Sequence, residues 1–131
     1  MKKTKGSGII FICENKVLLI QNPNGTWEIP GGRKDFNESY LQTAKRETLE
    51  EVGWCPYIDI SGEYTHNGKK SKYKIYFVFI EGTFKCNLSK EHINWKWYSL
   101  DKLPENINRK VADALDFLKQ SSLASDNINT V

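Results

Sequence analysis

Three glutamates stand close together near the middle of the chain. Glu47, Glu50 and Glu51 occupy positions i, i+3 and i+4. On a helix that spacing puts all three carboxylates on one face, within reach of one another. Clustered carboxylates repel unless a positive group lies among them, and a hard divalent cation with oxygen ligands is the usual partner. The spacing therefore predicts a Mg²⁺ or Mn²⁺ site, and we interpret it as a site for chemistry on a pyrophosphate.

Such a site suits hydrolysis at phosphorus. The phosphorus atom is shielded by its own anionic oxygens, and metal ions neutralise that charge, orient the phosphate chain and lower the pKa of a bound water. The neighbouring Arg46 can offset part of the carboxylate charge and hold a glutamate through two parallel hydrogen bonds. Charged helix faces are also common on ordinary solvated helices. The assignment therefore depends on the residues that surround the glutamates.

The composition of the chain gives no reason to expect nucleic acid, a membrane or a disulfide framework. The chain has 131 residues and a net charge of +3, enough length for one core and too little charge to argue for nucleic acid or a membrane as an obligate partner. Its three cysteines are odd in number and form no close pair, which argues against a disulfide framework or a zinc site. The apolar run behind the basic N-terminus is interrupted at Glu14, so neither a signal peptide nor a membrane span is predicted. We expect a cytoplasmic protein; its oligomeric state is not indicated.

Short strands are predicted ahead of the glutamates. Residues 8–13 and 16–21 are rich in isoleucine, valine and leucine and flank Glu14-Asn15, which predicts a β-hairpin. Residues 27–32 are predicted to be extended and then glycine-rich. Gly31 and Gly32 allow the backbone to approach a ligand closely.

The glutamate helix has local start and stop signals. Ser39 with Gln42 three residues later matches a capping box, although Asn37 is a rival N-cap. Gly53 is placed to end the helix. The predicted core stripe consists of Leu41, Ala44, Thr48 and Val52. This stripe lies to one side of the glutamates.

Further strands and one more helix are predicted along the rest of the chain. The strands are predicted at 57–64, 72–80 and 93–98, and an amphipathic helix at 107–119. Asn67-Gly68 is a hairpin signal, but its polar neighbours predict a longer, mobile loop. We expect a single domain over residues 1–120 and a polar, disordered tail over 121–131.

The glutamates belong to a longer pattern. Its fixed positions are Gly32, Glu38, Arg46, Glu47, Glu50, Glu51 and Gly53. The pattern resembles the Nudix box, the signature of the Nudix hydrolases, and seven positions at fixed spacing are far more specific than a three-glycine motif. Thr48 and Trp54 depart from the aliphatic residues usual at their positions. The resemblance also covers residues 27–32 and 97–104 and implies a small MutT-like Nudix domain, an α/β fold in which an α/β/α sandwich surrounds a mixed β-sheet.

The resemblance implies roles for the residues of the box. The metal ligands would be Glu47, Glu50 and Glu51 together with the backbone carbonyl of Gly31. Arg46 is similar to the family's orienting arginine. The structural positions of the motif are Gly32, Glu38 and Gly53, and Glu38 would steady the junction of loop and helix or bind an outer metal.

Glu91 is a further candidate. Proteins that this chain resembles bring an additional glutamate from a loop before the late strand, as metal ligand or general base. An exposed loop carboxylate without a role is the alternative. A general base must come within hydrogen-bond reach of the attacking water, and Glu47, Glu50 and Glu91 all remain eligible.

The substrate is predicted to be a small nucleotide. Trp27, Tyr73 and Trp95 could stack on a base, and Arg33 could meet phosphates; packing and solvated charge are the alternatives. Residues 30–32 resemble the branch that cleaves nucleoside triphosphates, including oxidised ones, to a monophosphate and pyrophosphate.

Other functions stay open. Residues 88–92 with 95–97 resemble dinucleoside tetraphosphate hydrolases, but those enzymes usually carry lysine in place of Gly31, so nucleoside triphosphates are favoured. ADP-ribose and RNA 5′ ends also remain as substrates. A non-catalytic binding module would be expected to have lost metal glutamates, whereas all three are present here.

Overall fold

The computed structural model of the protein describes residues 3–121. Along the described chain the elements are β1 (Thr4–Cys13), β2 (Lys16–Gln21), β3 (Trp27–Glu28), β4 (Gly31–Arg33), α1 (Tyr40–Val52), β5 (Gly62–Asn67), β6 (Ser71–Phe79), β7 (Asn94–Ser99) and α2 (Arg109–Gln120). No helix within these residues is long and apolar enough to cross a membrane.

The strands form one mixed sheet. The order is β3-β2-β1-β6-β5, with β4 paired to β1 and β7 paired to β2. β1 runs parallel to β6 over nine residue pairs from Thr4↔Ser71 to Ile12↔Phe79, and the remaining pairs are antiparallel. β1 therefore pairs both with β4, which we call the glycine strand, and with the long strand β6.

Alternating residues of the sheet serve two separate cores, because successive strand side chains point to opposite faces. Ile10 and Ile12 of β1 pack with α2, whereas Ile9 and Phe11 pack with α1 through Ala44. The two helices therefore cover opposite faces of the sheet. The predicted α/β/α sandwich around a mixed sheet is confirmed.

The caps of α1 follow the local sequence signals. Ser39 is the N-cap, and both hydrogen bonds of the capping box with Gln42 are present, so Asn37 is not the cap. Gly53 ends the helix in the left-handed region at φ 90°, a conformation that favours glycine.

The predicted core stripe of α1 faces the sheet. Ala44, Thr48 and Val52 are fully buried, while Leu41 is partly buried. The Thr48 hydroxyl donates to the Ala44 carbonyl at 2.7 Å, so this departure from the family's aliphatic residue leaves no unsatisfied polar group. Trp54, the other departure, is 44% exposed and packs edge-on against Phe84.

Two predictions between α1 and β6 are wrong. The strand predicted at 57–64 begins only at Gly62, because the residues before Ser61 have no ladder partner, and Tyr57 is largely exposed. The predicted long loop around Asn67-Gly68 is a short connection in which the Gly68 N–H donates to the Ser71 carbonyl at 2.9 Å. The predicted tail lies outside the described residues from position 122 onward.

Candidate metal and catalytic site

The glycine strand β4 lies directly against the glutamate face of α1. The Gly31 N–H donates to Oε1 of Glu51 at 2.8 Å. A Cβ on Gly32 would lie 2.5 Å from the carboxyl carbon of Glu47, so only glycine lets that carboxylate come so close to the backbone. Gly31 and Gly32 therefore lie directly against two of the three glutamates of the box.

The carboxylates of this site are partly removed from water. Glu51 is 5% exposed, and burial raises its pKa to about 8, opposed by the Gly31 N–H and reinforced by Glu47 and Glu91. Burial and then the neighbouring Glu50 also raise the pKa of Glu47. A buried group of carboxylates that resists ionisation is stabilised by a bound cation, since opposite charge favours the ionised form. The donor set, all oxygen, fits a hard divalent ion.

Arg46 joins the glutamate face to the preceding loop. Its Nε and Nη2 donate to the two oxygens of Glu38 at 2.7 and 3.0 Å, and Nη1 donates to Glu47 at 3.0 Å and to Glu50 at 3.2 Å. Nη2 also donates to the Arg33 carbonyl at 3.1 Å. A single guanidinium thus sets the spacing of several carboxylates, which one ammonium group has too few directed donors to do.

Glu38 holds the junction between loop and helix. It accepts hydrogen bonds from the Asp35 N–H at 3.1 Å and the Thr43 hydroxyl at 2.8 Å. The Arg46 guanidinium, together with these two donors, lowers the pKa of Glu38 to about 2. These contacts match the first of the two roles expected for Glu38.

A later loop closes over the C-terminal end of α1. The Asn87 N–H donates to the Val52 carbonyl at 2.9 Å, and the Ser89 N–H donates to the Glu51 carbonyl at 3.2 Å. These bonds satisfy carbonyls that the helix end leaves without partners. The loop brings Glu91 within hydrogen-bond reach of the Glu51 carboxyl. Glu91 is thus an exposed residue beside Glu51, and its role as metal ligand or general base stays a prediction.

The sequence analysis missed two residues of the site, His92 and Glu28. His92 is 7% exposed; its Nε2 lies 3.1 Å from Oε2 of Glu28, and its Nδ1 lies 3.8 Å from Oε2 of Glu51. The His92 hydrogen bond is the main cause of a lowered pKa for Glu28, whose other oxygen accepts from Asn22 Nδ2 at 2.6 Å. Both residues could have been suspected from their neighbours in the sequence, because His92 directly follows Glu91 and Glu28 lies shortly before the glycine strand β4.

Base stacking by Trp27 is contradicted by its burial. Tyr73 is partly buried and lines a cavity with Glu28 and Gly31, so its contact with a substrate stays a prediction. Trp27 is 7% exposed and packs edge-on against Tyr98 at 5.0 Å between centroids, in the core under α2. Tyr73 packs against the same core, and Lys110 lies over its ring at 5.2 Å. Both rings therefore lie on the face of the sheet opposite to α1.

The other two expected substrate contacts lie on accessible surface. Trp95 is half-buried on the α1 face, in register with Ile20, which also pairs with Glu28. Arg33 is exposed and lines a cavity of about 660 Å³. The cavity is also lined by Lys3, Thr4, Lys5, Lys34, Asp35 and Phe36. Both residues remain predictions as substrate contacts.

The chain is thus an α/β domain in which two helices cover a mixed sheet, with a candidate cation site where the carboxylates of Glu47 and Glu51 pack on the glycine strand β4. The family model described as "NUDIX domain" matches residues 2–120. The chain belongs to this family and is a Nudix hydrolase. Members of the family generally use divalent metal ions and act on small nucleotide substrates.

Individual relatives agree with the family match. A Bacillus subtilis (strain 168) protein provisionally named an 8-oxo-dGTP diphosphatase is 30% identical over 117 residues, covering 84% of this chain and 78% of that protein. A Nudix hydrolase structure from Nitrosomonas europaea has a TM-score of 0.74 at 26% identity, covering 92% of this chain and 70% of that one. A MutT Nudix hydrolase from Burkholderia pseudomallei has a TM-score of 0.71 at 21% identity, covering 88% and 98%.

Proposed function

We propose that the protein is a metal-dependent pyrophosphohydrolase whose preferred substrate is a (deoxy)nucleoside triphosphate, cleaved to a monophosphate and pyrophosphate by attack of water on phosphorus. The observation that carries this proposal is the cluster of Glu47, Glu50, Glu51 and Glu91, in which Glu51 is buried and Glu47 and Glu51 pack on the glycine strand β4. The name of the Bacillus subtilis relative supports the same substrate class.

We assign Glu47, Glu50, Glu51 and the Gly31 carbonyl to the metal, Mg²⁺ or Mn²⁺. The bound ion supplies charge neutralisation for the phosphate chain and lowers the pKa of a coordinated water. Arg46 keeps the ligands apart at fixed spacing through its bonds to Glu47 and Glu50. Glu51 is held from the other side by the Gly31 N–H, so the ligand set is largely preorganised.

The general base is one of Glu47, Glu50 and Glu91. Glu51 is excluded from this role because its carboxylate is buried and engaged by the Gly31 N–H. The three glutamine variants separate the candidates. Only the variant that lacks the base should lose the acidic limb of its pH–rate profile. A variant that lacks a metal ligand should instead regain part of its activity when the metal concentration is raised.

The glycine at position 31 supports nucleoside triphosphates over dinucleoside tetraphosphates. A Cβ on Gly31 would lie 2.6 Å from the Ser7 carbonyl and closer still to the Tyr73 hydroxyl. The lysine usual in dinucleoside tetraphosphate hydrolases therefore does not fit this backbone. A product pattern containing two mononucleotides from a dinucleoside tetraphosphate would favour the alternative.

We place the nucleoside against Trp95 and the distal phosphates toward Arg33. Stacking of a base on an aromatic ring contributes about 1–3 kcal/mol, so Trp95→Ala should raise KM roughly five- to 150-fold with a small change in kcat. Phe117→Ala is the matched control, since Phe117 is a 46% exposed aromatic on α2, which covers the face of the sheet opposite to the box helix. Equal KM values for Trp95→Ala and the wild type would remove Trp95 from the substrate site.

A substrate panel tests the reaction itself. Wild-type protein is incubated with nucleoside triphosphates, oxidised nucleoside triphosphates, dinucleoside tetraphosphates, ADP-ribose and capped or triphosphorylated RNA, with Mg²⁺ and with Mn²⁺, and the products are identified. Glu50→Gln should lower the rate at least about 100-fold, as expected for removal of a charge-stabilising group. Glu81→Gln, in an exposed loop, should not.

Equal rates for Glu50→Gln and the wild type would overturn the metal-site assignment. Nucleotide binding without turnover under every condition would instead identify a binding module. The retained glutamates, with their contacts to Gly31 and Arg46, argue against that alternative.

A further inference from the structure

We propose that His92 is a nitrogen ligand of a divalent cation held jointly with the carboxylates of Glu51 and Glu91. This inference deepens the proposed function, because it rests on Glu51 being a metal ligand. It adds an imidazole from a distant loop to a ligand set otherwise made of oxygen. The Nudix box does not contain this residue.

The first observation is a buried nitrogen without a partner. Among residues 3–121, Nδ1 of His92 is the one buried side-chain nitrogen or oxygen atom that has no hydrogen bond. The nearest carboxylate oxygen, on Glu51, lies 3.8 Å away, which is too far for a hydrogen bond. Buried polar atoms are nearly always satisfied, so an unpaired one indicates a missing ion or water.

The second observation is the partner on the other side of the ring. Nε2 lies 3.1 Å from the Glu28 carboxylate, and Glu28 is itself held by Asn22 at 2.6 Å. A carboxylate is an acceptor only, so Nε2 donates its hydrogen to Glu28, and in the neutral ring the lone pair is then on Nδ1, the nitrogen nearer Glu51. The chain Glu28–His92 matches the carboxylate–histidine arrangement that orients histidine ligands in metal sites.

The third observation is distance. A ring nitrogen of His92 and one oxygen each from Glu51 and Glu91 all lie within 4.8 Å of one another. Ligands about 2.1 Å from a single ion are about 3 Å apart when adjacent and about 4.2 Å apart when opposite. Small side-chain adjustments therefore bring all three atoms onto one cation, with a lone pair and two carboxylates facing it.

An imidazole ligand changes which metals the site prefers. Oxygen ligands suit Mg²⁺, whereas imidazole suits later first-row metals such as Zn²⁺ and Ni²⁺. We therefore expect Zn²⁺ and Ni²⁺ to bind the wild type more tightly than Mg²⁺. In His92→Gln the ratio of the affinity for Zn²⁺ to the affinity for Mg²⁺ should fall about tenfold or more, the loss in affinity typical of a disturbed ligand environment.

Electron spin-echo spectroscopy of bound Mn²⁺ tests the ligand directly. The protein is prepared without a histidine tag and with ¹⁵N-labelled histidine, in the His66→Gln background. The chain contains two histidines, so His92 is then the only labelled residue. The expected result is a nitrogen coupling of directly bonded imidazole that changes from ¹⁴N to ¹⁵N with the label. His92→Gln, which retains the labelled His66 at the end of β5, serves as the control and should show no such coupling.

Each outcome of this experiment is decisive. Bound Mn²⁺ without a histidine nitrogen coupling would overturn the proposal, and a water-mediated contact would show as a weak coupling and also overturn it. Glu28→Gln should weaken Mn²⁺ binding about 10- to 100-fold if Glu28 orients the ring. Hydrolysis in the absence of the nitrogen coupling would refute this inference alone, whereas the coupling without hydrolysis would refute the proposed reaction alone.

Discussion

Substitution of Gly31 by alanine tests the close approach of β4 to β1 that positions the site. Gly31 pairs with Gly8 across the two strands. A Cβ on Gly31 would lie 2.6 Å from the Ser7 carbonyl and 2.7 Å from the Gly8 Cα, and it would also collide with the Tyr73 hydroxyl. Two of these three neighbours are backbone atoms in the central strand of the sheet, so they cannot rotate away.

The size of the effect follows from these distances. Ordinary contact with a Cβ begins at 3.4 Å, so the strands must separate by about 0.8 Å, a form of overpacking that costs about 1–3 kcal/mol. For a domain of about 120 residues, 1 kcal/mol lowers Tm by about 4 °C. We expect Gly31→Ala to lower Tm by about 4–12 °C. Displacement of the Gly31 carbonyl and N–H should also lower kcat about 10- to 100-fold.

Thermal unfolding and steady-state hydrolysis check both parts of this prediction. Gly82→Ala is the matched control, because a Cβ there meets no atom within 4 Å, and its Tm should be unchanged or slightly raised. Adding Tyr73→Phe removes the collision with the hydroxyl but not the two collisions with backbone atoms, so it should restore only part of the lost stability. A wild-type Tm for Gly31→Ala would refute the packing argument. A lowered Tm with full activity would show that the Gly31 carbonyl is not a metal ligand.

Three further substitutions test other contacts. Arg46→Lys keeps the charge, but three ammonium donors cannot replace all the bonds of the guanidinium to Glu38, Glu47, Glu50 and the Arg33 carbonyl. The kcat should therefore fall about 10- to 100-fold; unchanged kinetics would contradict this. Gly53→Ala should lower the free energy of unfolding in urea by about 1–2 kcal/mol, since φ is 90°; a wild-type midpoint would contradict the strain. In metal-free protein, Glu51 with a raised pKa of about 8 keeps a proton that the unfolded chain releases above its ordinary pKa. Stability from this group is therefore complete below about pH 4.5 and lost as the pH rises through about 8, and Glu51→Gln should flatten that part of the profile measured in chelator.

The helix of the box was predictable because its determinants are local. Ser39 and Gln42 form the capping box within one turn, and Gly53 supplies the left-handed residue at the other end. Fixed spacing along a helix then determines which side chains share a face. The positions of Glu47 and Glu51 relative to Gly31 and Gly32 depend on contacts between β4 and α1. These could be expected because the family pattern includes residues of both elements.

The rest of the site depends on long-range placement. Glu28 and His92 meet 64 positions apart, and no local pattern links them. Neighbouring strand residues point to opposite faces, so Trp27 enters the core under α2 while Glu28 reaches His92. The sequence alternation does not say which residue takes which face. The prediction of a strand over 57–64 was wrong for a related reason: β-branched and aromatic residues form a ladder only where a partner strand is in register.

The loop that carries Glu91 and His92 is hydrogen-bonded to the last carbonyls of α1. Since Asn87 and Ser89 bond to Val52 and Glu51, opening of the loop and fraying of the helix end are one local unfolding event. The amide hydrogens of Asn87 and Ser89 therefore exchange with solvent only when the site comes apart. Their protection measures the free energy that holds the site together, and a bound cation should increase it by its own binding free energy.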